Sequence, residues 1–239
     1  MIDYSKIYDE IDRNEPMPIH KDEVLLNLAN ENSLPFLESQ IIVRNLFDMR
    51  IYYTAGEDGI DIITKADSEL CNISEKELYK IAIDKLVKTC NIKIKSVETK
   101  SKIEHAFLFV RDKSKRSIQS NCAWLICPGI LNDFAEQWKS NLYILPLNEE
   151  SLYIFTEQDI EEKSKAKNKS KKEILMDMEE YLQKHIEDFD NNYSKDELMG
   201  GYDITPILSS KILYYDKTYN KLFALKNGEI DKTAGNYKL

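Results

Sequence analysis

The stretch LFDMRIYYTAGEDGIDIIT, residues 46–64, combines two strand patterns around a turn. Residues 46–53 are rich in Leu, Phe, Met, Ile and Tyr, side chains that favour extended structure, and residues 60–64 form a second extended run. Between the two runs, Asp58 and Gly59 form a dipeptide that is typical of tight hairpin turns. The stretch therefore predicts a β-hairpin.

A capped helix is predicted directly after this hairpin. In Ser74-Glu75-Lys76-Glu77, the serine hydroxyl and the Glu77 carboxylate can bind backbone N–H groups of the first turn, which is the arrangement of a capping box. Apolar residues then recur every three or four positions, as on one buried helix face. They are Leu78, Ile81, Ala82, Leu86 and Cys90.

The same ββα order of elements is expected twice more along the chain. We expect strands at 103–110, 122–127, 142–145 and 152–155, helices that begin near Pro128 and span 172–189, and a final hairpin at 211–216 and 221–225. This order predicts an α+β fold, with helices packed on a largely antiparallel sheet. Because no linker rich in Gly, Ser or Pro divides the chain, we expect a single domain over residues 1–239.

Two segments are expected to differ from this pattern. Residues 1–40 are predicted to be a helical N-terminal brace, with Val24, Leu25 and Leu28 on a short apolar face. Residues 161–172 alternate lysines with Ser, Ala and Asn and offer almost no apolar side chain, so we expect a mobile surface loop.

The charge balance is acidic. The chain has 33 Lys plus Arg against 42 Asp plus Glu, a formal net charge of −9, with 42% hydrophobic residues as in ordinary globular proteins. Nucleic-acid binding needs a clustered positive face, so this balance argues against a nucleic-acid partner.

The sequence also predicts where the protein is found. The first residues lead into acidic side chains and not into an apolar run, which predicts no signal peptide. The longest apolar run, residues 123–127, is far shorter than the roughly 20 residues that cross a bilayer. We therefore expect a cytoplasmic protein with no membrane partner and with reduced cysteines.

Metal and cofactor sites are not expected. His20, His105 and His185 are far apart in the sequence, and no CxxC, HxxxH or HExxH pair occurs. Neither GxxxxGK[ST] nor GxGxxG occurs, which argues against the common nucleotide-binding loops.

One cysteine is a candidate nucleophile. Cys127 precedes Pro128 at an expected strand-to-helix junction, where the positive end of the helix dipole could lower the pKa of the thiol. Its base would be His105 or His185. No nucleophile-elbow pattern surrounds Cys127, so a buried structural thiol is the favoured interpretation.

Asp48 is the first candidate binding residue. Its carboxylate lies in an apolar stretch, and Arg44 and Arg50 are each an even number of positions away, hence on the same face of an extended strand. A structural ion pair with either arginine is the favoured interpretation, and a ligand-binding polar cluster is the alternative.

Four motifs follow one another along the chain: ISEKELYKIA at 73–82, PGILNDFAE at 128–136, LYILP at 142–146 and LSSKILYYD at 208–216. Their order and spacing resemble those of an uncharacterised bacterial family, domain-of-unknown-function family fifty-six eighty-eight. The resemblance covers about residues 24–222. It implies one domain in a cytoplasmic protein of Gram-positive bacteria, or of their mobile elements, with no established activity.

The chain departs from this family at its most site-like string. Family members that resemble this chain follow the Tyr-Ile-Leu-Pro strand with Ser-Ser-x-His-Glu, whereas residues 147–151 are LNEES, without histidine. Any chemistry of that string is therefore expected to be lost here. Glu150 in this segment joins Arg44, Asp48 and Arg50 as a candidate binding residue, and Arg44 and Asp48 match residues of the family pattern.

These observations favour a non-enzymatic domain that binds a partner protein or a small ligand. One alternative is a hydrolase-like enzyme that uses Cys127 with a histidine, or an acid cluster around Asp48. The other is a nucleic-acid or regulatory binder that uses the lysines of residues 163–172.

Overall fold

The chain forms two antiparallel sheets and several helices in the computed structural model, which describes residues 15–31, 40–56, 59, 61–89, 92–97, 106–111, 121–148, 151–192 and 208–239. The strands are β1 (Leu25–Asn30), β2 (Val43–Leu46), β3 (Met49–Ala55), β4 (Asp61–Ile62), β5 (Ile92–Val97), β6 (Ala106–Arg111), β7 (Leu142–Asn148), β8 (Ser151–Thr156), β9 (Leu213–Asp216), β10 (Lys221–Lys226), β11 (Glu229–Ile230) and β12 (Tyr237–Lys238). The helices are α1 (Lys65–Cys71), α2 (Glu75–Thr89), α3 (Ile130–Trp138), α4 (Glu157–Lys167) and α5 (Lys171–Asn192), together with the 3-10 helix Asn121–Ile126.

The smaller sheet has the order β1-β3-β2, and β4 also pairs with β3. The pairing of β3 with β4 confirms the predicted hairpin. A second, tighter hairpin joins β2 to β3, because Leu46 pairs with Met49 and leaves only Phe47 and Asp48 in the turn. Phe47 has a φ of 59°, which two-residue hairpin turns require and which sequence patterns rarely place on a phenylalanine.

The larger sheet has the order β11-β10-β9-β7-β8-β6-β5, and β12 pairs with β10. All described strand pairs are antiparallel, so the predicted α+β fold with an antiparallel sheet is confirmed. The predicted recurrence of ββα units is not confirmed. The expected strand at 122–127 is a buried 3-10 helix, because a short apolar run fits a buried helix as well as a strand.

The two faces of the larger sheet pack against different layers. On one face, Leu142 and Ile144 of β7 share a hydrophobic core with Leu28 and Ile51 of the smaller sheet. The 3-10 helix, α2 and α3 also contribute to this core. On the other face, alternate residues of β7 and β8 pack against α4 and α5 in a second core. That core contains Tyr143, Leu145, Phe155, Ile160, Ile174, Leu175, Leu182, Ile212 and Leu225.

The helices predicted at 74–90 and 172–189 pack on different sheets, which corrects the prediction of helices packed on one sheet, because α2 contacts β1 and β3 of the smaller sheet. Leu86 of α2 belongs to the core between the sheets, whereas Leu182 of α5 belongs to the core on the far side of the larger sheet.

The helical brace predicted for residues 1–40 is also wrong where the structure describes it. Residues 25–30 form β1, which pairs with β3 along its whole length. Leu26 and Leu28 alternate with Asn27 and Ala29; all four are buried, and the two leucines belong to the core between the sheets. Residues 1–14 and 32–39 lie outside the described residues.

The predicted loop at 161–172 is instead the end of one helix and the start of another. Thr156 caps α4 through a capping box with Asp159, and Ile160 anchors that helix in the second core. Asn168, with a φ of 51°, ends α4, and Ser170 binds Glu173 at the start of α5. Caps and one buried isoleucine thus order a segment that is otherwise polar. The single-domain organisation over residues 1–239 stays a prediction.

Replacing a core residue of α5 should destabilise the protein. We expect Leu182→Ala to lower the free energy of unfolding by about 2 to 5 kcal/mol, because Leu182 is fully buried and its loss leaves a cavity. The urea midpoint measures this change. Met176→Ala, at a 43% exposed position of the same helix, is the control and should shift stability by no more than about 0.5 kcal/mol. Equal midpoints for the two variants would contradict the packing of α5.

Candidate functional site

Asp48 lies in the β2–β3 turn and joins the two sheets. Its carboxylate accepts hydrogen bonds from the Ser209 hydroxyl at 2.6 Å, and from the backbone N–H and the hydroxyl of Ser210, both at 2.7 Å. Asp48 is 7% exposed and Ser209 is fully buried. Both serines precede β9 of the larger sheet, so these bonds hold the turn of the smaller sheet against the larger one.

The predicted ion pair between Asp48 and an arginine is wrong. Arg44 binds Glu75 through two hydrogen bonds of 2.8 Å, and Arg50 lies 3.2 Å from Glu31. The prediction assumed a continuous strand through Asp48. The turn at Phe47 and Asp48 ends that strand, so the alternation of faces that aligned the three residues does not hold.

Arg44 lies at the centre of a group that we call the Arg44 cluster, defined by Arg44, Tyr53, Glu75, Tyr79 and Tyr237. The guanidinium of Arg44 stacks on the ring of Tyr79, with its central carbon 3.8 Å from the ring centroid. The Tyr53 hydroxyl donates a 2.6 Å hydrogen bond to Glu75, and the hydroxyls of Tyr79 and Tyr237 lie 2.7 Å apart. The cluster thus joins β2, β3, α2 and β12.

Local structure places each member of the cluster. Arg44 pairs with Ile51 across the β2–β3 hairpin, and Tyr53, two residues after Ile51, lies on the same face of the sheet. Glu75 and Tyr79 are four positions apart on α2, hence on one side of the helix. Tyr237 comes from the far end of the sequence and pairs with Leu222 of β10.

The electrostatics of the cluster favour its charged pair. Burial alone would raise the pKa of Glu75, but the hydrogen bonds from Arg44 and Tyr53 outweigh it and lower that pKa. The bond to Glu75 raises the pKa of Arg44. Burial raises the pKa of Tyr53 and of Tyr237 well above their usual range, with help from Glu75 and Tyr79 respectively. Near neutral pH the cluster therefore holds the Arg44–Glu75 ion pair and the neutral phenols of Tyr53 and Tyr237.

The cluster keeps part of its surface in water. The side chain of Arg44 is 30% exposed and that of Glu75 is 33% exposed. The guanidinium is fixed on one face by Tyr79 and at one edge by Glu75, so its exposed part can contact a second molecule without being reorganised.

Sequence reasoning found Arg44 and missed the rest of the cluster. The spacing of four between Glu75 and Tyr79 was a usable signal, because such residues are neighbours on a helix. Nothing in the sequence indicated Tyr237, which reaches the cluster only through strand pairing. Glu150 lies outside the described residues. Whether Arg44, Asp48 and Arg50 bind a ligand stays a prediction.

The candidate nucleophile Cys127 is 2% exposed and lies in the core between the sheets. The side chain of His185 and all of His105 lie outside the described residues. Over the described part of the chain, no group of three or more His, Cys, Asp or Glu side chains is arranged to hold a metal ion. No described helix has the length and hydropathy needed to cross a membrane.

Comparisons with protein-family models, with curated proteins and with solved structures gave no match. The resemblance to the uncharacterised bacterial family therefore stays a prediction.

Removing the charge of Asp48 should weaken the contact between the sheets. In Asp48→Asn, an amide N–H₂ replaces one of the two oxygens that accept bonds from Ser209 and Ser210, so a buried donor faces a buried donor. We expect a loss of about 2 to 4 kcal/mol in the free energy of unfolding, measured by urea denaturation.

Glu229→Gln is the matched control for Asp48→Asn. Glu229 is 68% exposed in its ion pair with Lys172, and such pairs contribute about 0 to 1 kcal/mol. An Asp48→Asn midpoint equal to that of the control would show that the bonds to Ser209 and Ser210 do not stabilise the fold.

The Glu75 carboxylate should make stability depend on pH. Because its folded pKa lies below the ordinary value of 4.5, the carboxylate stabilises the fold above that pH, and this contribution is lost as the pH falls through the folded pKa. The parent should exceed Glu75→Gln in urea midpoint at pH 7, and the difference should shrink below pH 4.5.

Glu179→Gln provides a control of opposite sign. Burial raises the pKa of Glu179 on α5, so its carboxylate lowers stability as the pH rises through that raised value. The urea midpoint of Glu179→Gln should therefore rise relative to that of the parent as the pH rises.

The Glu75 prediction has its own contradicting outcome. A constant difference in urea midpoint between the parent and Glu75→Gln from pH 3.5 to pH 7 would show that Glu75 does not bind Arg44 in solution.

Proposed function

We propose that the protein is a non-enzymatic binding domain and that the Arg44 cluster contacts its partner, a protein. The observation that carries this proposal is the partly exposed guanidinium of Arg44, held by Glu75 and stacked on Tyr79. Arginine and tyrosine are enriched at protein interfaces, where a few such residues contribute most of the binding free energy.

The rigidity of the cluster supports binding over a purely structural role. An arginine that is ordered before binding loses little side-chain entropy when a partner arrives. Its remaining N–H groups can bind carboxylates or backbone carbonyls of a partner, and the rings beside it offer apolar surface. A small ligand with the same groups is the second candidate. The cytoplasmic location and the family assignment belong to this proposal and rest on the order of the four motifs, since the family that they resemble is cytoplasmic.

The described contacts favour this proposal over the two alternatives. A thiol that is 2% exposed lacks the solvent access of reactive cysteines, which weakens the case for Cys127 as a nucleophile. In the lysine-rich segment, Lys169 binds Asp177, Lys171 contacts Glu157 and Lys172 binds Glu229. These acids neutralise charge that a phosphate backbone would need.

Arg44→Lys should weaken partner binding. Lysine keeps the charge but lacks the planar group that stacks on Tyr79 and binds Glu75 through two hydrogen bonds. The parent chain is immobilised and used to capture a partner from an extract of the native cells. Arg44→Lys should retain at least about tenfold less of that partner, as measured by quantitative mass spectrometry.

Lys226→Arg is the control, since it makes the reverse exchange at an exposed position at the end of β10. It should retain the partner at the level of the parent. A urea midpoint near that of the parent shows that Arg44→Lys is folded. If the folded Arg44→Lys variant captures the same proteins as the parent in the same amounts, the Arg44 cluster is not the binding site.

A further inference from the structure

The β12 segment, residues 237–239, occupies the edge of β10 next to the Arg44 cluster in the manner of a bound peptide. Its backbone pairs with β10 at two positions, Lys221 with Lys238 and Leu222 with Tyr237. The N–H of Leu239 donates to the Asn220 carbonyl at 3.3 Å, and the Asn220 side-chain amide donates to the Leu239 carbonyl at 3.1 Å. A peptide that adds a strand to a sheet edge uses the same backbone bonds.

Alternate side chains of the β12 segment face the core and solvent. Tyr237 and Leu239 pack against the core between the sheets, whereas Lys238 between them is exposed. The Tyr237 hydroxyl reaches the hydroxyl of Tyr79 at 2.7 Å. The edge of β10 therefore accepts the pattern tyrosine, any residue, aliphatic residue.

The receptor side of this contact is ordered by contacts of its own. The Tyr215 hydroxyl donates a 2.8 Å hydrogen bond to the Asn220 carboxamide oxygen, which turns the amide nitrogen toward the Leu239 carbonyl. Tyr215 is fully buried, and Tyr79 is held under the Arg44 guanidinium. Neither contact requires the β12 segment to be present.

The β12 segment is held by two paired positions, by hydrogen bonds to Asn220 and Tyr79, and by two half-buried side chains. These are a small share of the stabilising contacts of a domain, and residues 232, 233, 235 and 236 before it are exposed. Segments of this kind open locally at a lower free energy than the core strands.

We propose that the partner of this domain binds as an extended peptide segment that replaces β12 on β10 and places a tyrosine against Tyr79. This inference rests on the proposed function, since it describes how a protein partner uses the Arg44 cluster. The β12 segment then acts as an intramolecular competitor that lowers the apparent affinity for the partner.

The test uses the full chain and a fluorescein-labelled peptide of residues 231–239, DKTAGNYKL, followed by fluorescence anisotropy. In the parent, the tethered β12 segment competes at a millimolar effective concentration. We expect Tyr237→Ala in the protein, which weakens that competitor, to bind the peptide at least about tenfold more tightly than the parent does.

Peptide variants test the predicted side-chain pattern. A peptide with Tyr237→Phe should bind the Tyr237→Ala protein about fivefold more weakly, because it loses the bond to Tyr79. A peptide with Lys238→Ala should bind equally well, because that side chain is exposed. The inference that a partner replaces β12 is overturned if a folded Tyr237→Ala protein binds the peptide no better than the parent does. It is also overturned if the Tyr237→Phe and Lys238→Ala peptides bind that protein with the same affinity.

Hydrogen exchange of the parent decides the matter if Tyr237→Ala does not unfold cooperatively. Peptide at 10 mM, well above the ~1 mM effective concentration of the tethered segment, should accelerate exchange of the amides of Tyr237 and Leu239, whose N–H groups face β10 because bonded positions alternate along the pair, and leave those of β9 protected. No acceleration overturns the inference.

The outcomes separate this inference from the proposed function. If Arg44→Lys loses the partner but the peptide does not bind, the cluster binds its partner without replacing β12. If the peptide binds as expected and Arg44→Lys loses nothing from the extract, β12 is replaceable and the role proposed for Arg44 is wrong.

Discussion

The larger sheet is apolar on both faces, and the arrangement of the other layers follows from this. Along β7, Leu142 and Ile144 point to one core while Tyr143 and Leu145 point to the other, and all four are buried. A sheet with two apolar faces needs a layer on each side. The smaller sheet and the 3-10 helix cover one face, and α4 and α5 cover the other.

Polar contacts fix these layers where they meet. Asp48 binds the residues that enter β9, which ties the smaller sheet to the larger one. On the opposite side, Glu179 of α5 accepts a 3.0 Å hydrogen bond from the N–H of Gly228 in the β10–β11 turn. A Cβ at Gly228 would lie 2.6 Å from the Lys172 carbonyl oxygen, so only glycine allows this turn to approach α5. Apolar burial stabilises the layers, and these contacts determine their register.

The sequence predicts local structure here better than it predicts which layer a residue joins. The hairpin around Gly59 and the capping box at Ser74 follow from residue type and spacing alone, and both occur. The strand at residues 25–30 and the 3-10 helix at 121–126 do not follow, because their short apolar runs fit either structure until neighbouring elements bury them. The same distinction holds for the candidate site. The sequence predicted Arg44 as a site residue but not Tyr237, because Tyr237 reaches the site only by pairing with a strand elsewhere in the sequence.

The Tyr237 hydroxyl of the Arg44 cluster stays neutral in the physiological range. Burial raises the pKa of Tyr237 far above neutrality, and this hydroxyl shares a hydrogen bond with the Tyr79 hydroxyl. The charged pair of the cluster is Arg44 with Glu75, and both partners stay ionised near neutral pH because each favours the charged form of the other. Neither Tyr237 nor the Arg44–Glu75 pair is therefore a proton switch near neutral pH. The balance between β12 and a competing strand depends instead on backbone pairing with β10 and on the fit of one tyrosine and one aliphatic side chain, which a partner can supply by sequence alone.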